Sequence, residues 1–559
     1  MRINIYAIAA LTLALSAPPC LAGPSTEPEL QLRIKPGPMS QSTGRGEVEV
    51  SLTVPGVRIA AGAALFSLTT QSPGMRAPQP VTDLAVHDAE GPVRVMGGSP
   101  SAPRWTSTRA VRGDLVIHYR LPIDNALEHS DLPPVNLRID GDGFSTSGRM
   151  LIVQPEVSRP YRLAINWDLS GMDPGAEGVS TFGDGNVVLP AGSMRRLADS
   201  IFMAGRLNRE PRKSTGAFSA VWLGDDSSFD PRPLMRWTGE LHAWMSRFFR
   251  DKTEPPYRVF LRHNPYNPSG GVALARSFLV TYGPGVTDAG LKTLLAHEMT
   301  HTWTSNDLGK WYNEGNAVHY QALLPWRAHL RPLGEFQKDL NLTAARYYTN
   351  PLMHAPDSEI APNFWKNTWL NVLPYDRGAM YFAVLDGKIR KKSGGKRSVD
   401  DLVRAMVNRA RAGEPVTEAV WVGLLRQALG PEGPEIHRSM MAGGLMLPAS
   451  DDFGPCFRRK QIPIRRFELG FDVASSDKGR VVRGVTLGSE AAKAGVRVGD
   501  IVSYSFTTEG LMRDPTRTLT IEVTRDGRTF PITYLPRGKA VDAYQWERIP
   551  GVPDSTCLY

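Results

Sequence analysis

The sequence predicts a multidomain protein: an N-terminal all-β part of sandwich type, an α+β middle part and a small β-rich C-terminal module. Three observations predict it. The chain has 559 residues, more than one hydrophobic core organises. Period-two alternation of apolar and polar residues dominates from about Leu30 to about Leu169. Helical periodicity then takes over, and short strands with glycine turns return after Pro455.

In the first part, Glu47-Val48-Glu49-Val50-Ser51-Leu52-Thr53-Val54 and Leu115-Val116-Ile117-His118-Tyr119-Arg120-Leu121 alternate cleanly, and Gly/Pro/Asp clusters separate such segments. Nothing in this part has the make-up of a reaction centre. The pattern changes near Phe182. Leu234, Trp237, Leu241, Trp244 and Met245 mark one face of a helix running to Phe249. Strands are expected at Tyr257–Leu261 and Ser277–Tyr282, joined through a turn at Gly270-Gly271, and helices from about Asp288 to about Leu429. From Phe467 to about Leu535 the pattern is again short strands, one short helix and glycine turns.

Composition excludes several classes. The net charge of +9, from 65 basic and 56 acidic residues, is mild for this length and has no dense Lys/Arg block, which argues against a nucleic-acid partner. Arg2, the apolar run Ala7–Leu15 and the segment Ser16–Ala22 read as an export signal over residues 1–22, too short for a permanent membrane helix. Cys20 as a lipid-modified cysteine is the less favoured reading, because Pro18-Pro19 suits a lipoprotein cleavage site poorly. A periplasmic or extracellular location without a membrane span follows as the expectation. Removal of the signal leaves Cys456 and Cys557, an even pair that in an exported protein favours one disulfide.

The chemistry centres on His297-Glu298-Met299-Thr300-His301, an HExxH pattern flanked by Leu291, Leu294 and Leu295. Four residues apart on a helix, the two imidazoles face one ion, and Glu298 stands beside them. One Zn2+ per chain is the expected cofactor, since two imidazoles and a carboxylate suit it and hydrolysis needs no redox change. Glu298 is the expected base, taking a proton from the metal-activated water that attacks the carbonyl. The third ligand is expected to be Glu314. Asn306, Asp307 and Gly309 stop the first helix, a second starts near Lys310, and Glu314 then faces back in its first turns. Asp307 and His319 compete for this place: Asp307 would need a glycine turn where Thr304 stands, and His319 lies more than a turn further on. Tyr375, in Pro374-Tyr375-Asp376-Arg377-Gly378 ahead of an apolar helix from Ala379 to Leu385, is the candidate hydroxyl for the oxyanion.

In that order, HEMTH, WYNEG and PYDRG resemble the gluzincin peptidases, and within them the glycyl aminopeptidase family of exported bacterial enzymes. Val81–Asp88 is similar to a segment of that family's N-terminal domain, and WYNEGNA also resembles the larger alanyl-type aminopeptidases. The resemblance implies a β-rich domain over residues 23–175, a thermolysin-like zinc peptidase domain over 176–455 and a PDZ domain with a tail over 456–559. It also implies His297, His301 and Glu314 as zinc ligands, Glu298 as base and Tyr375 as the group stabilising the tetrahedral intermediate. Two departures stand out. Only twelve residues separate His301 from Glu314, and Gly270-Gly271-Val272-Ala273-Leu274 has Ala273 near the place where aminopeptidases carry an amine-binding glutamate. Selection for a free amine is therefore expected to be weakened, with Asp376 as a candidate substitute and strand Ser277–Tyr282 still aligning an extended peptide.

In the C-terminal module, Glu468-Leu469-Gly470-Phe471 resembles the carboxylate-binding loop of PDZ domains, as do Gly488–Gly495 and Val498–Val502 other parts of that fold. The resemblance implies capture of a peptide C-terminus, or else a lid docked on the catalytic domain. The expected function is zinc-dependent peptide-bond hydrolysis of aminopeptidase type. An endopeptidase or oligopeptidase with the same site is one alternative, and a non-catalytic, chaperone-like peptide-binding protein is the other.

Overall fold

The computed structural model describes residues 27–557 except 73–74, 100–101, 128–134, 214–215, 225–228, 265–269, 275, 284–285, 306–307, 477–478 and 505–507. The signal-type segment, Cys20 and Asp307 lie outside the described residues. No described helix is long and apolar enough to cross a membrane.

Alternation builds the N-terminal part. Strands Arg45–Ile59 and Val111–Asp124 pair antiparallel. Their inward residues Val48, Val50 and Leu52 meet Ile117, Tyr119 and Leu121 with no exposure to solvent. This pair sits within a seven-stranded sheet, which shares one core with a five-stranded and a four-stranded sheet. The part is β-rich as expected, with three sheets in place of a two-sheet sandwich. Glu177–Ser180 and Ile201–Gly205 belong to the five-stranded sheet, and Val187–Gly192 joins the seven-stranded one. The boundary expected at 175 therefore cuts two sheets. Those strands are short and lack alternation, so only their long-range ladders reveal where they belong.

The middle sheet has the order Leu207–Glu210, Phe218–Leu223, Tyr257–His263, Ser277–Tyr282, Gly270–Leu274. Its three inner strands are parallel and almost wholly buried, and both edge strands run antiparallel. Helix α1, Pro231–Phe248, makes the crossover, with Asp230 capping the N–H of Arg232 at 3.1 Å. Ser277–Tyr282 is thus an interior strand. Of the two edges, the one formed by Gly270–Leu274 lies beside α2, Asp288–Thr304. Helices α3 (Lys310–Arg327), α4 (Leu333–Tyr348) and α5 (Thr368–Ser393) follow. α5 starts eleven residues before Ala379 and runs through Pro374, so Tyr375 lies within the helix and not ahead of it.

Past Pro455, strands Phe471–Ser476, Gly479–Val485, Ile501–Ser503, Leu519–Arg525 and Arg528–Tyr534 form an antiparallel sheet in chain order around Val482, Ile521 and Val523. Helix α6, Thr508–Arg513, packs on α4 and α5. The flanking strands Phe457–Phe467 and Arg537–Arg548 form a separate antiparallel ribbon. Its Phe457, Ile464, Ala543 and Trp546 are buried in the core of the helical part, so the span expected as one module from 456 is divided between two cores. α4 grips this ribbon: Asn341 accepts from the Trp546 N–H at 2.8 Å and donates to its carbonyl at 2.9 Å.

Cys456 and Cys557 are bonded, 101 residues apart in sequence, and both are fully buried. Closing so long a loop restricts the unfolded chain, and reduction is expected to cost roughly 2–5 kcal/mol of stability. Denaturant unfolding of oxidised and reduced protein measures the difference, and equal midpoints would contradict it.

Candidate functional site

α2 carries the HExxH residues. Thr287 caps its start by accepting from the Gly290 N–H at 3.3 Å, while Leu291, Leu295, Ala296 and Met299 bury it in the core. It ends at Ser305, and the chain re-enters a helix after Gly309, whose φ of +105° only glycine adopts easily. α3 then returns along α2 and places Glu314 opposite the histidines. Nε2 of His297 and Nε2 of His301 each lie 3.4 Å from Glu314 Oε2. Among the described residues, these three form the one His/Cys/Asp/Glu group whose ligand atoms all lie within 4.8 Å of one another.

This geometry fits zinc. A tetrahedral ion with bonds of about 2.1 Å separates its donors by about 3.4 Å, the spacing seen here, and the two-nitrogen, one-oxygen set is a zinc set. The residues outside the ligand set support it. Lys310 Nζ donates to Glu314 Oε1 at 3.4 Å. His297 Nδ1 lies 3.1 Å from Gln321 Oε1, and Gln321 Nε2 donates to Asp339 Oδ2 at 2.8 Å. Arg513 of α6 closes this line on the other oxygen of Asp339. A hydrogen bond from Nδ1 leaves Nε2 as the lone-pair donor facing the ion. Gln321→Leu is expected to weaken zinc binding by about 10–100-fold with the fold intact, measured by competition with a chromophoric chelator. Unchanged affinity would remove Gln321 from the metal's support.

Glu298 follows His297 on α2, next to the three candidate ligands in the chain's fold. Burial pushes its carboxyl up to about 7, with His297 acting against the rise and the Glu314 charge adding to it. Burial also opposes charge on Glu314, yet His297 and His301 hold it well below the usual range, as an anionic ligand must be. Tyr375 stacks on His297 with ring centroids 6.0 Å apart at 17°. Burial, then the charges of Glu314 and Glu298, hold its hydroxyl well above the ordinary value, so it keeps its proton and can donate it.

Two glycines bring Tyr375 and Glu314 together. A Cβ on Gly315 would lie 2.7 Å from Gly378 Cα, and one on Gly378 would lie 2.7 Å from the Trp311 carbonyl oxygen. α3 and α5 therefore cross backbone to backbone next to both side chains. Both glycines stand in the WYNEG and PYDRG motifs, where nothing along the chain marks them as a helix crossing. His319, a competitor for the third ligand, lies away from the ligand cluster: its buried ring packs 5.0 Å from Tyr320 and 6.0 Å from Phe382, and burial lowers it to about 3. Asp376 points away from any open substrate role, being fully buried and bound to Arg346 through two 2.7 Å hydrogen bonds.

No protein-family profile matches the chain, and no curated protein matches it. Among solved structures it is similar to an aminopeptidase N family protein from Idiomarina loihiensis, at 15% identity and a TM-score of 0.66 over 94% of this chain and 99% of that one. The M1 zinc metallopeptidase from Deinococcus radiodurans also matches, at 15% identity and a TM-score of 0.44, over 76% of this chain and 94% of that one. A mutant of that enzyme bound to a Tyr-Ser-Ala substrate matches at 15% identity and a TM-score of 0.45, over 76% and 95%. The likeness to the Idiomarina protein shows a shared fold along almost the whole chain.

Proposed function

We propose that this protein is a zinc-dependent peptidase of aminopeptidase type, with His297, His301 and Glu314 as metal ligands. The observation that carries the reading is the approach of both imidazole Nε2 atoms to one oxygen of Glu314, 3.4 Å each, with Glu298 beside them. Zinc held there would supply Lewis acidity, lowering the pKa of the attacking water to about 7 and polarising the scissile carbonyl. The chain's own groups do the rest. Glu298 accepts the water's proton during attack and returns it to the departing amine. Tyr375, which keeps its proton, donates a hydrogen bond to the carbonyl oxygen as it becomes an oxyanion. The free edge of Gly270–Leu274 offers backbone groups to an extended substrate.

The finer parts of the reading rest on motifs. We take the chain as an exported enzyme near the glycyl aminopeptidase family, and residues from about 467 to 535 as a PDZ fold. The Glu468–Phe471 loop leads into strand Phe471–Ser476 at one edge of its sheet, which supports strand-type binding of a peptide C-terminus. The packing of α6 on α4 and α5 supports a docking role for the same module.

Incubating the protein with a mixed peptide library, with and without a chelator, tests the reading by mass spectrometry. New products lacking N-terminal residues, abolished by chelation and restored by zinc, are expected. Products cut only in peptide interiors would move the protein to the endopeptidases, and no products with bound zinc would contradict the reading. Tyr375→Phe is expected to lower kcat by about 10²–10³ with little change in KM. An unchanged kcat would reduce Tyr375 to a packing residue.

A further inference from the structure

Ala273 supplies no carboxylate at the substrate strand, and Asp376, the acid expected to replace it, is held by Arg346. We propose that Glu509, on helix α6 of the C-terminal module, receives the free ammonium group of the peptide substrate. This rests on the peptidase reading above.

The geometry of α6 supports it. Glu509 and Arg513 are four residues apart and share a face of the helix. Arg513 binds Asp339, which reaches His297 through Gln321, so this face lies against the wall of the metal site. α6 packs on α4, which carries Arg346, and on α5, which carries Tyr375, and the Glu509 charge raises both of those groups. Glu509 Oε2 is buried and, among the described residues, has no hydrogen-bond partner. A buried carboxylate oxygen left without a partner is costly. Arg346 does not relieve it: its Nε and Nη2 donate to Asp376, and no hydrogen bond from it reaches Glu509 Oε2. Burial raises the Glu509 carboxyl, while a hydrogen bond from its own backbone N–H and then the Arg346 charge act against the rise, and an incoming cation would act in the same direction. An acid in the first turn of a helix is favourable in itself, but that benefit is available at the surface and does not account for a buried Oε2 on a helix packed against α4 and α5. The α-ammonium of a peptide whose scissile carbonyl lies at the metal is the cation that chemistry brings to this place. Selection of the substrate's end would then depend on a residue outside the helices that carry the metal ligands.

The test is binding, separate from turnover. Glu298→Gln protein, loaded with zinc, serves as parent, and Glu298→Gln/Glu509→Gln is compared with it. Calorimetry measures a set of tripeptides, each free and N-acetylated, with zinc content determined alongside. The parent is expected to bind free peptides roughly 30-fold or more tightly than acetylated ones, equivalent to about 2 kcal/mol, and the double variant to lose that ratio with zinc retained. A ratio unchanged by Glu509→Gln, a parent that binds both forms equally, or a parent that binds neither overturns the proposal. Preserved binding of free peptides together with no cleavage by the unmutated protein would overturn the peptidase reading and leave the amine site standing.

Discussion

Glu298→Gln is expected to keep one zinc per chain and to lower kcat by about 10²–10⁴, the span that a well-placed general base contributes. Glutamine has the size and polarity of glutamate and leaves all three ligand atoms in place, so zinc should remain bound. What it lacks is a lone pair basic enough to take the water's proton. The position of Glu298, half-buried beside His297, and its rise to about 7 both suit a base working near neutrality. Metal analysis and steady-state kinetics on the same sample measure the two effects. Loss of zinc would make Glu298 part of the metal site, and an unchanged kcat would place the base elsewhere.

Glu314→Ala is expected to act on the metal. It removes one of the three proposed ligands, the carboxylate 3.4 Å from both imidazole Nε2 atoms, and it leaves the Lys310 ammonium without that partner. Zinc affinity should fall by more than about 100-fold, beyond the loss typical of groups that only support a ligand, and activity should fall with it. Excess zinc should restore part of the activity if the two histidines still bind. Full zinc occupancy and full activity at stoichiometric metal would assign the third ligand to another residue.

Much of the metal site is readable along the chain because its parts are local. HExxH needs only a helix, and the helix is announced by Leu291, Leu294 and Leu295. The return of Glu314 follows from a short helix-stopping segment and a new start at Lys310. Tyr375 was found by its motif but placed ahead of the helix, because a proline ordinarily bounds one. In the fold, the buried residues around Pro374 hold the helix together through it. Asp376 was equally visible, and its role was not, since its partner Arg346 lies on another helix. The contact of Gly315 with Gly378 and the arrival of Glu509 and Arg513 from α6 are likewise relations between distant segments.

By itself, the sequence determined the elements whose information is periodic or contiguous: the alternating strands of the N-terminal part, the helix carrying His297, Glu298 and His301, and the cysteine pair. Hydrophobic spacing and fixed offsets on one element are enough to specify these. Tertiary structure alone decided which edge strand lies beside α2, how the N-terminal strands divide among three sheets, and that the C-terminal ribbon packs into the helical core. It also decided which buried acids are paired and which is left open. Those outcomes depend on burial and on partners brought together by packing, and a carboxylate's role changes entirely with whether an arginine lies within hydrogen-bond reach.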